Sequence, residues 1–165
     1  MRLRSISHTK TAGLVFLLAW GGVATALVSQ HGFGLEPCPW CIVQRFMYLL
    51  AGLFALASMF VRQRAWLARI LLGVAAVATT GSLVTAAYQQ LVAAKTGSCA
   101  LTMADRFFMA TGLDEALRSV FKATAACDVA NAPMLGVPYA LWSAALAIVL
   151  LGLIAQAWAR AGQRS

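Results

Sequence analysis

Four runs of this chain are apolar over lengths that a soluble domain has no means of hiding, at about Thr11–Ser29, Ile42–Val61, Ala65–Val92 and Gly136–Ala159. A helix needs about 20 consecutive apolar residues to cross the ~30 Å hydrocarbon core of a bilayer, and each run approaches or exceeds that length. The third is long enough to tilt or to continue past the membrane. Of the 165 residues 61% are hydrophobic and only 11% are charged, which excludes an ordinary soluble domain. The expected fold is all-α: one polytopic membrane domain over residues 1–165, a bundle of four transmembrane helices. Its two larger loops run at about 30–41 and 93–135, the second with a short interfacial helix of its own. No internal repeat or low-complexity tract interrupts this plan.

Charge orients the bundle. Arg2, Arg4 and Lys10 precede the first span, Arg62, Arg64 and Arg69 surround the turn after the second, and Arg160 and Arg164 follow the fourth. No acid lies in those segments; Glu36, Asp105, Asp114, Glu115 and Asp128 all fall in the two larger loops, nearly balanced there by Lys95, Arg106, Arg118 and Lys122. Basic residues stay on the cytoplasmic side, so both termini are expected inside and both larger loops outside. The net charge of +8 is therefore a topology signal. It is spread over short membrane-flanking segments, whereas a nucleic-acid binder would gather it on one folded face. The arm ahead of Ala24-Thr25-Ala26 also fits a cleavable signal peptide, but Leu27 and Val28 continue the apolar run, so the first span is expected to be kept.

All four cysteines, Cys38, Cys41, Cys99 and Cys127, lie in the two outer loops. That partition suits an oxidising exterior. Two structural staples would be the default reading, but a bridge from Cys38 to Cys41 closes so short a loop that it removes little chain entropy. Cys38-Pro39-Trp40-Cys41 stands instead where a helix should begin, and there free N–H groups and the helix dipole favour a thiolate. Pro39 suits a first helical turn. Haem attachment needs His after Cys41, and Ile42 is there. A four-thiolate metal site stays open as an alternative, although Cys99 and Cys127 lack paired CxxC spacing, and no metal is expected.

Arg45 follows Cys41 by one helical turn on the same face, and an ionised residue inside a span is a functional candidate; snorkelling to the interface is the plainer alternative. Gln44 adds an amide beside it. The third span returns to the same side, bringing Tyr88, Gln89 and Gln90, which are expected either to line one pocket with Arg45 or to act as interface anchors. In the second outer loop Leu113, Leu117, Val120 and Phe121 recur at helical spacing, with Asp114, Glu115, Arg118 and Lys122 on the other face. Thr111 and Asp114 resemble a capping box. The apolar face, with Phe107, Phe108 and Met109, is expected to lie on the bilayer or on the top of the bundle.

Taken in order, these features resemble the disulfide bond formation protein B (DsbB) family of bacterial inner-membrane quinone reductases. The likeness covers nearly the whole chain. It rests on four spans, Pro37-Cys38-Pro39-Trp40-Cys41-Ile42-Val43-Gln44-Arg45 leading the second, Cys99 and Cys127 in the second outer loop, and Gly136-Val137-Pro138 before the last span. The family is the one known for keeping the periplasm oxidising through quinone, and the resemblance implies that role here. It implies a periplasmic DsbA-like thioredoxin-fold partner attacking Cys99, with Cys127 resolving, and electrons passing through Cys38 and Cys41 to ubiquinone or menaquinone in the membrane. It further implies quinone contacts from Arg45, with Gln44, Tyr88 and Gln90 as further candidates. Some members carry a histidine after Tyr-Glu where this chain has Tyr88-Gln89-Gln90; Gln90 offers hydrogen bonds but no proton-carrying cation. A vitamin-K-epoxide-reductase-like enzyme would place its loop cysteines before the CxxC, whereas here they follow it. A non-enzymatic four-span scaffold with structural disulfides is the remaining alternative.

Overall fold

The computed structural model describes residues 2–61, 63–96, 103–131 and 133–162. Arg62, Cys99 and Arg164 lie outside them. Four long helices dominate: α1 (Arg2–Phe33), α2 (Pro39–Phe60), α3 (Ala65–Tyr88, continued by a π-helical turn, Gln89–Ala93) and a last helix, Tyr139–Gly162. Within them His8–Phe33, Pro39–Phe60, Ala65–Ala93 and Tyr139–Ala161 are each long and apolar enough to cross a membrane. Between α3 and the last helix run α4 (Ala94–Thr96), α5 (Met103–Thr111), α6 (Leu113–Ala116), α7 (Arg118–Phe121) and α8 (Cys127–Ala130), then a small antiparallel ribbon of β1 (Pro133–Met134) and β2 (Val137–Pro138); the last helix is thus α9. The ribbon turns through Leu135 and Gly136, both at positive φ (55° and 81°), so it occupies the start of the fourth apolar run and α9 begins at Tyr139.

The long helices form a ring in which α1 packs on α2 and α9, and α3 on α2 and α9, while α2 and α9 barely touch. Apolar lipid supplies no hydrophobic drive between helices, so close backbone approach through small residues takes its place. The core shows this in Ala19, Ala55, Ala68, Ala75, Ala147 and Ala157, all buried, with Leu72, Leu150 and Ile154 filling between them. Gly52 lets the Trp20 indole lie against the α2 backbone, where Trp20 Nε1–H donates to the Leu49 carbonyl (3.3 Å). Tyr48 ties α2 to α9, its hydroxyl 2.6 Å from the Ser143 carbonyl.

The second outer loop departs from the expected single amphipathic helix. Gly112 takes the left-handed conformation (φ 67°) and ends α5, and Leu117 breaks the chain again between α6 and α7. Thr111 does not open a helix as a capping box. Its hydroxyl donates back to the carbonyls of Phe107 (2.8 Å) and Phe108 (3.1 Å), so it closes α5, and Gly112 precedes α6 without a side-chain cap. The reason is aromatic packing. Phe108 and Phe121 stack with centroids 5.5 Å apart, and both meet the edge of Phe46 on α2 above the buried Ile42. Three short helices, broken at Gly112 and Leu117, bring both rings inward, while Phe107 and Met109 stay exposed.

Candidate functional site

Cys38 caps the N-terminus of α2 in extended conformation, and Pro39 follows at the first helical position, where its missing N–H costs nothing. The Ile42 N–H closes the first turn on the Cys38 carbonyl (3.2 Å), which brings Cys41 Sγ back to 3.1 Å from Cys38 Sγ. Both thiols are free and both are buried. The hydrogen bond shared with Cys41, and burial after it, hold the Cys38 thiol above its ordinary range. Two sulfurs this close lose a first proton far more readily than a second.

The second outer loop is strapped across this turn. The Pro37 carbonyl accepts the N–H groups of Thr124 (3.0 Å) and Ala125 (3.2 Å). That strap delivers Cys127, the first residue of α8, into one packed cluster with Cys38, Cys41 and Ala93, under Trp40 and Ala130. Cys127 is disulfide-bonded and fully buried. Cys99, its expected companion, lies outside the described residues.

On the inner side of Cys41 stands a chain of amides. Gln89, 0% exposed in the π-helical turn, donates from Nε2 to Cys41 Sγ (3.3 Å), and its Oε1 accepts from Gln44 Nε2 (2.7 Å). Arg45 is also buried; its Nη1 donates to Gln30 Oε1 at the end of α1 (2.7 Å) and to the Val120 carbonyl of α7 (3.2 Å). Cys41, Gln44 and Arg45 line one side of a cavity of about 200 Å³, whose other walls are mostly apolar residues of α1 and α9, among them Val23, Ala26 and Trp142, with Tyr48 and Tyr139 also in the lining. Among the described residues no group of His, Cys, Asp and Glu is gathered to hold a metal.

Cys38, Cys41, Gln44, Arg45 and Cys127 are thus brought together, and Tyr88 and Gln90 are not. Tyr88 is 44% exposed and packs its ring on Trp40 (centroids 4.9 Å). Gln90 Oε1 accepts from Asn131 Nδ2 (2.8 Å), and Asn131 Oδ1 in turn accepts the N–H of Ala140, so this pair braces α8 and α9 against the end of α3. Neither lines the cavity. Sequence reasoning places Gln89 beside Tyr88 and Gln90 near Arg45 without a role toward Cys41, and it misses Gln30. Their signal was present only as polar residues at the ends of apolar runs.

A membrane-spanning helix bundle that carries a buried dithiol on a helix N-terminus, with a disulfide-bonded cysteine packed on it, defines a class of thiol–disulfide membrane proteins. Comparison with known sequences names the family. The family described as Disulfide bond formation protein DsbB matches residues 8–157. Proteins named Disulfide bond formation protein B are similar in Ralstonia nicotianae (30% identical over 138 residues, 83% of this chain and 85% of the relative) and in Xylella fastidiosa (32% over 150 residues, 84% of each). One from Marinobacter nauticus is 50% identical over a shorter stretch of 46 residues, 28% of this chain and 27% of the relative. No solved structure matches. The chain belongs to the DsbB family and is a multi-pass membrane protein with a role in disulfide bond formation.

Proposed function

We propose that this protein is a protein-disulfide:quinone oxidoreductase of the bacterial inner membrane, which reoxidises a periplasmic DsbA-like dithiol and hands the electrons to ubiquinone or menaquinone. The observation that carries the reading is the packing of disulfide-bonded Cys127 against the free Cys38 and Cys41, with a cavity opening on the far side of Cys41. Thiols arrive from one side and an apolar acceptor from the other.

In this reading the partner's thiolate attacks Cys99 of a Cys99–Cys127 disulfide and releases Cys127 as a thiolate. Cys127 attacks Cys38 of an oxidised Cys38–Cys41 pair, forming Cys38–Cys127 and releasing Cys41. The partner's second thiolate attacks the mixed disulfide and leaves oxidised, freeing Cys99, which attacks Cys127 and releases Cys38. The net result is one partner disulfide made and the Cys38–Cys41 disulfide reduced by two electrons. Arg45 and Gln44 would hold a quinone in the cavity, and it would supply the acceptor for those two electrons, with two protons, so that the Cys38–Cys41 bond could re-form.

The residues present suit such a group. A dry cavity of ~150 Å³ takes up benzene, and this one has about 200 Å³ with apolar walls. Arg45 and Gln44 line it beside Cys41, where the guanidinium and the amide could meet ring oxygens. Arginine both hydrogen-bonds such oxygens and stabilises negative charge, more so in a partly dehydrated site. For orientation, Arg64, Arg69 and Arg160 lie at the end away from the cysteines, while Glu36, Asp114, Glu115 and Asp128 lie at the cysteine end. That distribution supports cytoplasmic termini and a periplasmic cysteine end.

The test is quinone reduction by purified protein given a reduced thioredoxin-fold dithiol and a short-chain ubiquinone or menaquinone, followed by the quinone's absorbance. Turnover that stops in Cys41→Ser supports the reading. Oxidation of the dithiol with no loss of quinone overturns it.

A further inference from the structure

Among the described residues Gln89 has a position unlike that of any other amide. It is fully buried, it sits where α3 widens into a π-helical turn (the Ala94 N–H reaching back to the Gln89 carbonyl), and both polar atoms of its side chain are engaged. Single π-turns inside helices recur at functional positions. A buried amide without partners costs heavily, so the groups that satisfy Gln89 also fix it. One partner is Gln44, on the turn of α2 that follows Cys41. The other is the Cys41 sulfur.

The two ends of this amide suit two states of one sulfur. A Cys41 thiol can donate to Gln89 Oε1, 3.6 Å away, and a Cys41 thiolate can accept from Gln89 Nε2, 3.3 Å away. Because Gln44 Nε2 already donates to Gln89 Oε1 at 2.7 Å, the amide is held with its N–H groups towards the sulfur. The shorter contact is the one that serves the thiolate. A sulfur locked in a Cys38–Cys41 disulfide carries no charge and accepts only weakly, so the bond is stronger in the reduced pair.

We infer that Gln89, oriented by Gln44, is a positioning residue that stabilises the reduced, thiolate form of Cys41 and thereby makes the Cys38–Cys41 disulfide a better electron acceptor. The inference rests on the Cys38–Cys41 pair being redox-active, as proposed above. It assigns the role to Gln89, whose Nε2 reaches Cys41, and not to its neighbour Gln90, whose amide oxygen accepts from Asn131.

The experiment is a redox titration of the full-length chain in detergent, with Cys99 and Cys127 replaced by serine so that only the Cys38–Cys41 couple is read. Two glutathione thiols reduce the disulfide and become one glutathione disulfide, and the equilibrium constant is obtained from alkylated fractions. Gln89→Met removes the donor at nearly constant volume and is expected to lower that constant about tenfold, which is about 30 mV for a two-electron couple. Gln44→Met/Gln89→Met leaves no orphaned amide, which spares folding, and is expected to give the same shift. Gln90→Met is expected to stay within about twofold. If both Gln89 variants also stay within twofold, or if Gln90→Met shifts the constant as far, the inference is wrong and Gln89 is a packing residue. A parent chain whose Cys38–Cys41 pair never oxidises in any glutathione ratio would instead overturn the redox reading, and this inference with it.

Discussion

An arginine ties helices together at each end of the bundle, and the two ties differ in what else the arginine meets. At the far end Arg160 Nη1 donates to Thr11 Oγ1 (2.6 Å), joining α9 to α1. At the cysteine end Arg45 joins α2 to Gln30 of α1 and to Val120 of α7, and in addition lines a cavity together with Cys41. Both arginines satisfy the rule that a cation in or near a membrane span finds partners inside the protein. Among the described residues, Arg45 is the one that shares a cavity with a cysteine sulfur. Intramembrane charge by itself therefore does not separate a tie from a site; what separates them is the chemistry facing the charge.

The largest test of that difference concerns the sulfurs. Cys41→Ser is expected to reduce quinone turnover by more than about 1000-fold, since removing one member of a group that acts as a unit loses nearly the whole effect. Cys127→Ser should let a mixed disulfide between Cys99 and the partner accumulate, because the resolving thiol is gone; non-reducing gels read this directly. An equally abundant adduct through Cys38 in a Cys99→Ser chain would reverse the assigned order of the two pairs.

Much of this end was legible in the sequence, and the parts that were not have a common physical cause. The spans, the CxxC at a helix start and Arg45 one turn below Cys41 all follow from spacing within one segment. The cavity is different. Its apolar wall comes from Val23 and Ala26 on α1 and Trp142 on α9, residues that no local period marks, because helix-to-helix packing decides which faces meet. The sequence does not separate Gln89 from Gln90 for a similar reason. Which of two adjacent amides faces Cys41 is decided by the phase of the π-helical turn and by Asn131, which takes up Gln90. In the second outer loop Leu113, Leu117, Val120 and Phe121 keep helical spacing, so the sequence reads as one helix from about Thr111 to Lys122, whereas the chain breaks at Leu117 and Phe121 turns in to stack on Phe108.

Next in size is the direct comparison of the two arginines. Arg45→Met is expected to slow quinone reduction about 100-fold, the scale seen when one preorganised donor to developing negative charge is removed. Exchange between Cys99 and the partner's thiol should remain near the parent rate, because Arg45 takes no part in it. Arg160→Met should leave quinone reduction within about twofold and cost only about 1 kcal/mol of stability, the worth of one hydrogen bond. Quinone reduction at parent rate and KM in Arg45→Met would make the two arginines equivalent ties.

The smallest expected effect asks how Arg45 acts. Gln30 Oε1 receives one of the two hydrogen bonds from Arg45 Nη1, and the Val120 carbonyl receives the other. Gln30→Leu removes the first bond and leaves the second, so the guanidinium loosens without losing its charge. A partly buried bond to a charged group contributes on the order of 1 kcal/mol, which corresponds to about a fivefold rise in KM for quinone with a smaller change in kcat. Gln30→Glu separates geometry from charge. It keeps the acceptor in place and so preserves the position of the guanidinium, but its carboxylate pairs with the positive charge that would otherwise act on the cavity. If Arg45 matters only for where its N–H groups point, Gln30→Glu should reduce quinone as the parent does. If Arg45 matters through its charge, Gln30→Glu should fall below Gln30→Leu towards Arg45→Met, and that is the expected order, since a neutralised Arg45 would be left with the same purely structural part that Arg160 plays at the other end.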